Sequence, residues 1–244
     1  MRKNLVYFLP ILITCLALPL QIYAAVAFGS VVNVIPATGT NTGASPSITT
    51  PATNPVVIVD IAINDATATV SSLTITGFGG TASEVKAIRA TTVASAYAST
   101  WCIKAPTPST SGTVQANFSA SVPYQMSVST YSGADQTTPC PIADAQSDNT
   151  VTNPQTLTPT NLTANDASNG NNGNAEAQDL NAITPTSDYL GNTTAINLGA
   201  GHATGTTGIT FGATGTSVYA KVAVRIAEAT GGVVCYQTLL GVGC

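Results

Sequence analysis

Acidic side chains are the groups in this sequence best suited to chemistry, and they gather in turn-rich stretches. Asp135 follows Ser-Gly-Ala in one turn, and Asp144 and Asp148 stand in the next one. Carboxylate oxygens are ligands that calcium accepts in flexible geometry. If calcium binds, we therefore expect it to use Asp135 together with the turn that holds Asp144 and Asp148.

Paired carboxylates could also act as a glycosidase, since that chemistry needs two carboxyl groups at a set separation. The candidates all lie in turn-rich stretches: Asp135, Asp144, Asp148, Asp166, Glu176 and Asp179. No rigid apolar pocket is visible around them. The one histidine, His202, stands in a Gly-rich stretch without a visible nucleophile partner. We therefore expect a protein that is not an enzyme and needs no cofactor, calcium being the one candidate ion.

A second acidic stretch, TANDASNGNNGN at residues 163–174, invites a calcium-loop interpretation through Asp166, Ser168 and Gly170. Its glycine falls one place early for an EF-hand, and Glu176 falls one place short of the closing ligand. We therefore interpret this stretch as a solvated surface loop.

Cysteines indicate the compartment and two covalent links. Past the N-terminal apolar run the chain keeps Cys102, Cys140, Cys235 and Cys244, an even number that predicts two disulfides in an exported protein. Three connectivities are open. We favour Cys102 with Cys140, because each ends a strand-like run, which leaves Cys235 with Cys244 to close a C-terminal loop. Zinc is the weaker alternative, because no Cys-x-x-Cys pair exists.

Aromatic residues offer a third kind of site. Outward-facing Tyr131, Tyr189 and Tyr219 are candidates to stack on sugar rings. Trp101, which shares a strand face with Tyr97, is expected in the core instead. A row of exposed coplanar aromatics would indicate a carbohydrate-binding module, whereas smooth Thr/Ser faces would indicate a structural role.

The elements that must position these groups are strands. In VPYQMSVSTY, residues 122–131, apolar and polar residues alternate, as in a half-buried antiparallel strand. Similar runs occur at 25–35, 56–63, 70–76, 84–90, 93–103, 114–118 and 217–228. The pattern predicts an all-β fold, an antiparallel two-sheet β-sandwich with almost no helix. We expect runs 70–76 and 84–90 to form a hairpin across the glycines of 77–80.

One shared core is expected between the two sheets. Its predicted members are apolar residues of the alternating runs: Val57, Val59, Ile61, Trp101, Val114, Phe118, Tyr124, Met126, Val128, Val222, Val224 and Ile226.

The chain divides into four segments. Arg2 and Lys3 precede an uncharged run at 5–22 and then small residues, which is the layout of a cleavable secretory signal over residues 1–25. A retained anchor is the alternative, because the run is nearly long enough to span a bilayer. A first strand and a Thr/Ser/Pro-rich connection follow at 26–55, the sandwich at 56–230, and a C-terminal disulfide loop at 231–244.

The charge balance excludes one class of partner. Without Arg2 and Lys3, five of the seven basic residues remain against eleven acidic ones, so nucleic acid is not expected as a partner. Charged residues make up only 7% of the chain, and Thr, Ser, Gly and Asn dominate its polar surface. Such a composition is typical of extracellular β-proteins.

One stretch resembles a known family. The elements WCIKAP at 101–106, SGTV at 111–114 and MSVSTYSGADQTTP at 126–139 are similar to the jelly-roll, concanavalin-like β-sandwich modules of bacterial secreted and surface proteins. Ala134 stands where the family usually has valine. Most members have no assigned activity, so the resemblance implies a jelly-roll fold and a location outside the cell.

Together these features predict an exported, non-enzymatic surface or extracellular module with a structural or adhesive role. Its expected partner is a cell-surface protein or glycan, with no membrane contact after signal cleavage. A carbohydrate-binding module, with or without calcium, is the alternative. A filament subunit is a further one: the connection at 36–55 is long, so the strand at 26–35 could pair with its own sheet or with a neighbouring subunit. The oligomeric state stays open.

Overall fold

Antiparallel strands account for nearly all regular structure in this protein. The computed structural model describes residues 24–34, 39–90, 96–150, 154–174, 180–193, 195–213 and 219–229. Within these ranges the only helical segment is a 3-10 turn at Ile142–Asp144. The all-β prediction is therefore confirmed. Among the same residues, no helix is long and apolar enough to cross a membrane.

Within the described ranges the strands form four hydrogen-bonded sheets rather than two. The first sheet contains β2 (Thr40–Ala44), β3 (Ile48–Thr49), β5 (Val70–Thr76) and β8 (Ser111–Val122). The second, in spatial order, contains β1 (Ala27–Val34), β9 (Tyr124–Ser132), β4 (Val56–Asn64), β7 (Ala96–Lys104) and β6 (Thr81–Arg89). The third contains β10 (Gln146–Asp148), β17 (Ala220–Ile226), β12 (Ala167–Asn174), β15 (Asn197–Thr204) and β14 (Thr186–Gly191). The fourth contains β11 (Gln155–Leu157), β16 (Ile209–Ala213) and β13 (Leu180–Thr184).

The second sheet is covered on both faces, which explains the almost continuous apolar run of β4. Side chains alternate along a strand, so Val57 and Val59 of β4 pack toward the first sheet while Val56 and Ile58 pack toward the third. Strands β4, β7 and β9 are buried along almost their whole length for this reason. Burial on two faces selects near-continuous hydrophobic sequence in place of clean alternation.

The predicted shared core is in fact two cores. Nine of its twelve members, including Trp101, lie in the cluster between the first and second sheets. Val222, Val224 and Ile226 belong to a separate cluster with Val56 and Ile58. They do so because β17 lies inside the third sheet, between β10 and β12.

The predicted hairpin of 70–76 with 84–90 is wrong. Strand β5 pairs with β8 in the first sheet, whereas β6 pairs with β7 in the second. The glycines between them let the chain cross from one sheet to the other. Gly77 has φ +101°, and a side chain there would place Cβ only 2.4 Å from the carbonyl oxygen of Ser111.

The Asn-rich stretch at 163–174 is not a surface loop. Residues Ala167–Asn174 form β12, which is buried along its whole length. It pairs with β15 on one side and β17 on the other. Its polar side chains are tolerated there because several of them meet polar partners inside the protein, as described below.

The N-terminal strand pairs with its own chain, since β1 joins β9 at the edge of the second sheet. The connection after it is not loose, because it contains β2 and β3, both of which pair with β8. Residues 1–23 of the predicted signal peptide, the predicted disulfide loop with Cys235 and Cys244, and the residues Glu176 and Asp179 lie outside the described residues.

Candidate functional site

A buried polar cluster lies between the second and third sheets, around the carboxylate of Asp60. Asp60 interrupts the apolar strand β4 and is 1% exposed. The hydroxyl of Thr100, across the strand pair, donates to Oδ1 of Asp60 at 2.7 Å. From the facing sheet, Nδ2 of Asn171 donates to the same oxygen at 2.9 Å, and Nδ2 of Asn169 donates to Oδ2 at 2.8 Å. One carboxylate thus binds two asparagines of the same strand, β12, in the opposite layer.

Tyr131 extends the cluster. Its hydroxyl donates to Oδ1 of Asn169 at 2.8 Å. The Asn169 amide therefore accepts one hydrogen bond through Oδ1 and donates another through Nδ2. Asn171 also donates to the backbone carbonyl of Ser99 at 2.8 Å. Each of these side chains is at most 1% exposed. Buried polar networks of this kind stabilise one register and one packing only while their members stay paired.

Burial dominates the acid–base behaviour of this cluster. The pKa of Asp60 is raised from 3.8 to about 6, chiefly by removal from water. The nearby charge of Asp188 adds to this rise, and the three side-chain hydrogen bonds oppose it. Burial also raises the pKa of Tyr131, with Asp188 and Asp60 adding to the effect. Tyr131 therefore remains a hydrogen-bond donor at any physiological pH.

Two stacked rings lie beside Tyr131, and one of them belongs to β1, the edge strand of the second sheet. The rings of Phe28 and His202 are stacked at 4.1 Å between centroids, and Phe28 meets Tyr131 edge-on at 5.5 Å. Nδ1 of His202 lies 2.8 Å from Oδ1 of Asp188. The sequence shows no partner for His202, but in the structure Asp188 of the adjacent strand β14 supplies one.

A second polar cluster occupies the other face of the third sheet. Lys221 of β17 is fully buried, and its Nζ donates to Oε1 of Gln155 at 2.8 Å and to the carbonyl of Thr150 at 3.2 Å. The carboxylate of Asp148, the register partner of Lys221 on β10, lies 3.7 Å from Nζ. Burial lowers the pKa of Lys221, although Asp148 opposes that shift.

A third cluster joins two of the glycosidase candidates to one cation. Arg225 donates to Oδ2 of Asp144 and to Oδ2 of Asp166, each at 2.9 Å. Burial opposes ionisation of Asp144, but bonds from Arg225, Asn161 and Thr160 hold its pKa below the usual value. A retaining or inverting glycosidase needs one carboxyl protonated. Asp144, beside Arg225, is kept in the opposite state.

The predicted calcium ligands do not come together. Asp135 caps its own turn, accepting the N–H groups of Thr137 and Thr138 at 2.6 and 2.9 Å. Asp144 binds Arg225, and Asp148 binds Thr150 beside Lys221. Across the described part of the chain, no group of three or more His, Cys, Asp or Glu residues could hold a metal ion. Each carboxylate is used locally, and the shared calcium site stays a prediction.

Two of the three tyrosines that were predicted to face outward are buried instead. Tyr131 and Tyr219 are 0% exposed, because both faces of β9 and the residues beside β17 are covered by neighbouring layers. Tyr189 is half-buried, and its hydroxyl donates to Oε1 of Gln125 at 2.9 Å. The three rings therefore make no common platform.

The disulfide lies where the sequence predicts it. Cys102 of β7 is bonded to Cys140, 38 residues later, in the turn after β9. Both sulfurs belong to the apolar cluster between the second and third sheets. A shallow surface pocket lies beside them, lined in part by Lys104, Pro141 and the exposed Ile142.

Sequence reasoning missed the residues that carry the clusters. For Asp60 a signal existed, since a lone carboxylate in VVIVDIAIN must find partners if the strand is buried. For Asn169 and Asn171 the composition pointed to a loop, and no local pattern marks the strand. Lys221 and Gln155 meet only because the third sheet contacts the fourth, and no local sequence pattern predicts that contact.

Known proteins give no further guide to these clusters: no model of a protein family, no curated protein and no solved structure matches the chain significantly.

Proposed function

We propose that this protein is exported and serves a non-enzymatic structural or adhesive role at a cell surface or outside the cell. The observation that carries the proposal is that its reactive side chains are bonded to one another inside the fold. Asp60, Asn169 and Asn171 are closed between two sheets, and Lys221 is fully buried. Groups placed in this way stabilise a scaffold and offer no access to a substrate.

Two features support export. Arg2 and Lys3 ahead of the uncharged run at 5–22 form the layout of a secretory signal. The Cys102–Cys140 bond is of a kind that persists in oxidising compartments and is rare in the cytosol.

We further place the sandwich with jelly-roll modules of bacterial secreted and surface proteins, on the resemblance of residues 101–139. The most specific part, SGADQTTP, forms a rigid turn in which Asp135 accepts two backbone N–H groups. Gly133 has φ +74°, and a Cβ there would lie 2.7 Å from the carbonyl of Ala25. A turn of this kind requires its particular residues, so a matching sequence supports a matching local structure.

Surface labelling of intact source cells tests the proposal. An antibody raised against residues 24–229 should label unpermeabilised cells or the culture medium, while an antibody to a cytosolic protein should not. Labelling only after permeabilisation would contradict export. The N-terminal sequence of the recovered protein should begin at residue 25, 26 or 27.

Carbohydrate binding is the alternative that a glycan array tests on the same purified chain. Because Tyr131 and Tyr219 are buried, we expect no saturable binding. Saturable binding lost in Tyr189→Ala would replace the structural role with a lectin-like one.

Filament formation by strand exchange is tested by deleting residues 26–35. Strand β1 pairs with β9 of its own chain, so we expect an unfolded or destabilised monomer. A deletion variant that folds, but no longer assembles into the polymers formed by the intact protein, would favour the filament instead.

A further inference from the structure

Lys221 is a primary amine held against a side-chain amide in a water-poor environment. Its Nζ is 2.8 Å from Oε1 of Gln155, and Lys221 is 0% exposed. The amide carbon of Gln155 is bonded to that oxygen, so the amine lies next to an electrophilic carbon that it could attack. Holding two reacting groups in contact removes most of the entropic barrier to their reaction.

The surroundings of Lys221 favour a nucleophilic amine. Burial lowers the pKa of Lys221, which raises the fraction of neutral amine. Asp148 stands beside it, with its carboxylate 3.7 Å from Nζ. Burial opposes ionisation of Asp148, but Thr150, Gln155 and the charge of Lys221 together lower its pKa. The ionised carboxylate of Asp148 lies 3.7 Å from Nζ and shares a hydrogen bond with the Gln155 side chain. It is therefore placed to accept a proton from the ammonium group.

We propose that Lys221 and Gln155 become joined by an intramolecular isopeptide bond, with Asp148 as the proton carrier. Asp148 takes a proton from the Lys221 ammonium, and the neutral Nζ attacks Cδ of Gln155. The Nζ–Cδ bond forms, Asp148 passes its proton to Nε2, and the Cδ–Nε2 bond breaks so that Nε2 leaves as ammonia. Nζ gives its second proton to the freed carboxylate of Asp148 and becomes the N–H of the new amide. The net change is the loss of one ammonia, and no oxidant or reductant is required.

The bond would connect two layers. Lys221 belongs to β17 of the third sheet, and Gln155 belongs to β11 of the fourth. The fourth sheet is small, with three strands, so a covalent link would fix it to the rest of the fold. This chemistry is independent of where the protein is located, so it does not rest on the proposed surface role.

Asn172 provides a competing amide on the other side of Lys221. It stands opposite Lys221 in register on β12 and is 0% exposed. Its Oδ1 and Nδ2 have no hydrogen-bond partner among the described residues. Gln155 is the assigned acceptor because Nζ of Lys221 donates a hydrogen bond to its amide oxygen, whereas the amide of Asn172 makes no hydrogen bond among the described residues.

Intact mass spectrometry of the reduced, denatured mature protein tests the bond. We expect a mass lower than that calculated from the sequence by one ammonia, and a cross-linked peptide pair containing Lys221 and Gln155. Asp148→Asn should lose the deficit or acquire it slowly. Lys221→Arg and Gln155→Met should both show the full mass. Gln155 is partly exposed, so its variant keeps the test valid if the buried Lys221→Arg variant does not fold, as judged by circular dichroism.

Succinimide formation is the necessary control, because Asn169-Gly170 and Asn172-Gly173 could also lose ammonia. A succinimide would persist in Lys221→Arg and would be hydrolysed in mild base, whereas an isopeptide would not. Three results would each overturn the proposal: the full mass in the wild-type protein after prolonged incubation, a deficit unchanged in Lys221→Arg, or a cross-link mapped to Asn172.

Discussion

The two faces of the second sheet are filled by different chemistry. Toward the first sheet, β4 presents Val57, Val59 and Ile61 to an apolar cluster that includes Trp101. Toward the third sheet, the same strand presents Val56 and Ile58 and then Asp60, which is hydrogen-bonded to the facing strand β12. The first interface is non-directional and tolerates repacking, whereas the second depends on a few oriented bonds. A substitution in the polar interface should therefore lower the free energy of unfolding more than a similar substitution in the apolar interface.

Asp60→Ala should have the largest effect, because it leaves the buried amides of Asn169 and Asn171 and the hydroxyl of Thr100 without their acceptor. At 1 to 3 kcal/mol for each orphaned group, we expect a loss of about 5 kcal/mol in the free energy of unfolding. Its neighbour Val59→Ala, on the apolar face, should cost about 2 kcal/mol. Urea denaturation of both variants measures the difference. Equal losses would mean that the two interfaces are not distinct.

Loss of the Cys102–Cys140 bond acts on the same side of the sheet. The double variant Cys102→Ala/Cys140→Ala should lose about 3 to 4 kcal/mol of unfolding free energy, since the bond closes a long loop. Thermal denaturation of the variant, and of the wild-type protein with reductant, should agree. A variant as stable as the oxidised wild-type protein would show that the fold does not depend on this link.

Stability should depend on pH through Asp60. Its pKa is raised from 3.8 to about 6 in the fold, so the folded state binds the proton more tightly than the unfolded state. This contribution is complete below about pH 4 and is lost as the pH rises through 6. Relative to Asp60→Asn, the wild-type protein should lose about 3 kcal/mol between these values. A difference that stays flat, or grows with pH, would contradict the burial of Asp60.

The smallest effect compares two tyrosines that point to opposite faces of β9. Tyr131→Phe removes the donor to Asn169 and should cost about 1 kcal/mol. Tyr124→Phe lies in the apolar cluster, where the hydroxyl makes no side-chain hydrogen bond within the described ranges, and should be near neutral. Chemical denaturation separates them. A larger loss for Tyr124→Phe would reverse the assignment of the two faces.

The predictable part of the fold is the part governed by apolar periodicity. Strands β4, β7, β9 and β17, the buried Trp101 and the Cys102–Cys140 bond follow from alternation and strand ends. The number of sheets does not, because burial on two faces removes alternation and hides which layer each side of β4 meets. The glycine turn 77–80 likewise specifies sharp chain reversal but not whether it stays in one sheet.

Strand β12 shows why the candidate site was less predictable than the fold. Its sequence ASNGNNGN has the composition of a loop, since asparagine and glycine favour turns. The glycines are needed for another reason: a Cβ on Gly173 would lie 3.1 Å from Cβ of Ala62 in the facing sheet. Asn169 and Asn171 bind Asp60, Tyr131 and the carbonyl of Ser99, all of which are distant in sequence. Local composition therefore predicted a loop, because the residues that allow this stretch to be a buried strand are far away in the sequence.

Hydrogen exchange of the β12 amides tests this description most directly. A central strand paired on both sides should open only in large-scale unfolding, so backbone N–H groups at 169–173 should be protected nearly as strongly as those of β4. Measured by mass spectrometry or NMR on the native protein, that protection is the expected result. Exchange at the rate of an unstructured Asn/Gly peptide would show that this stretch is a solvated loop and would contradict the buried polar interface.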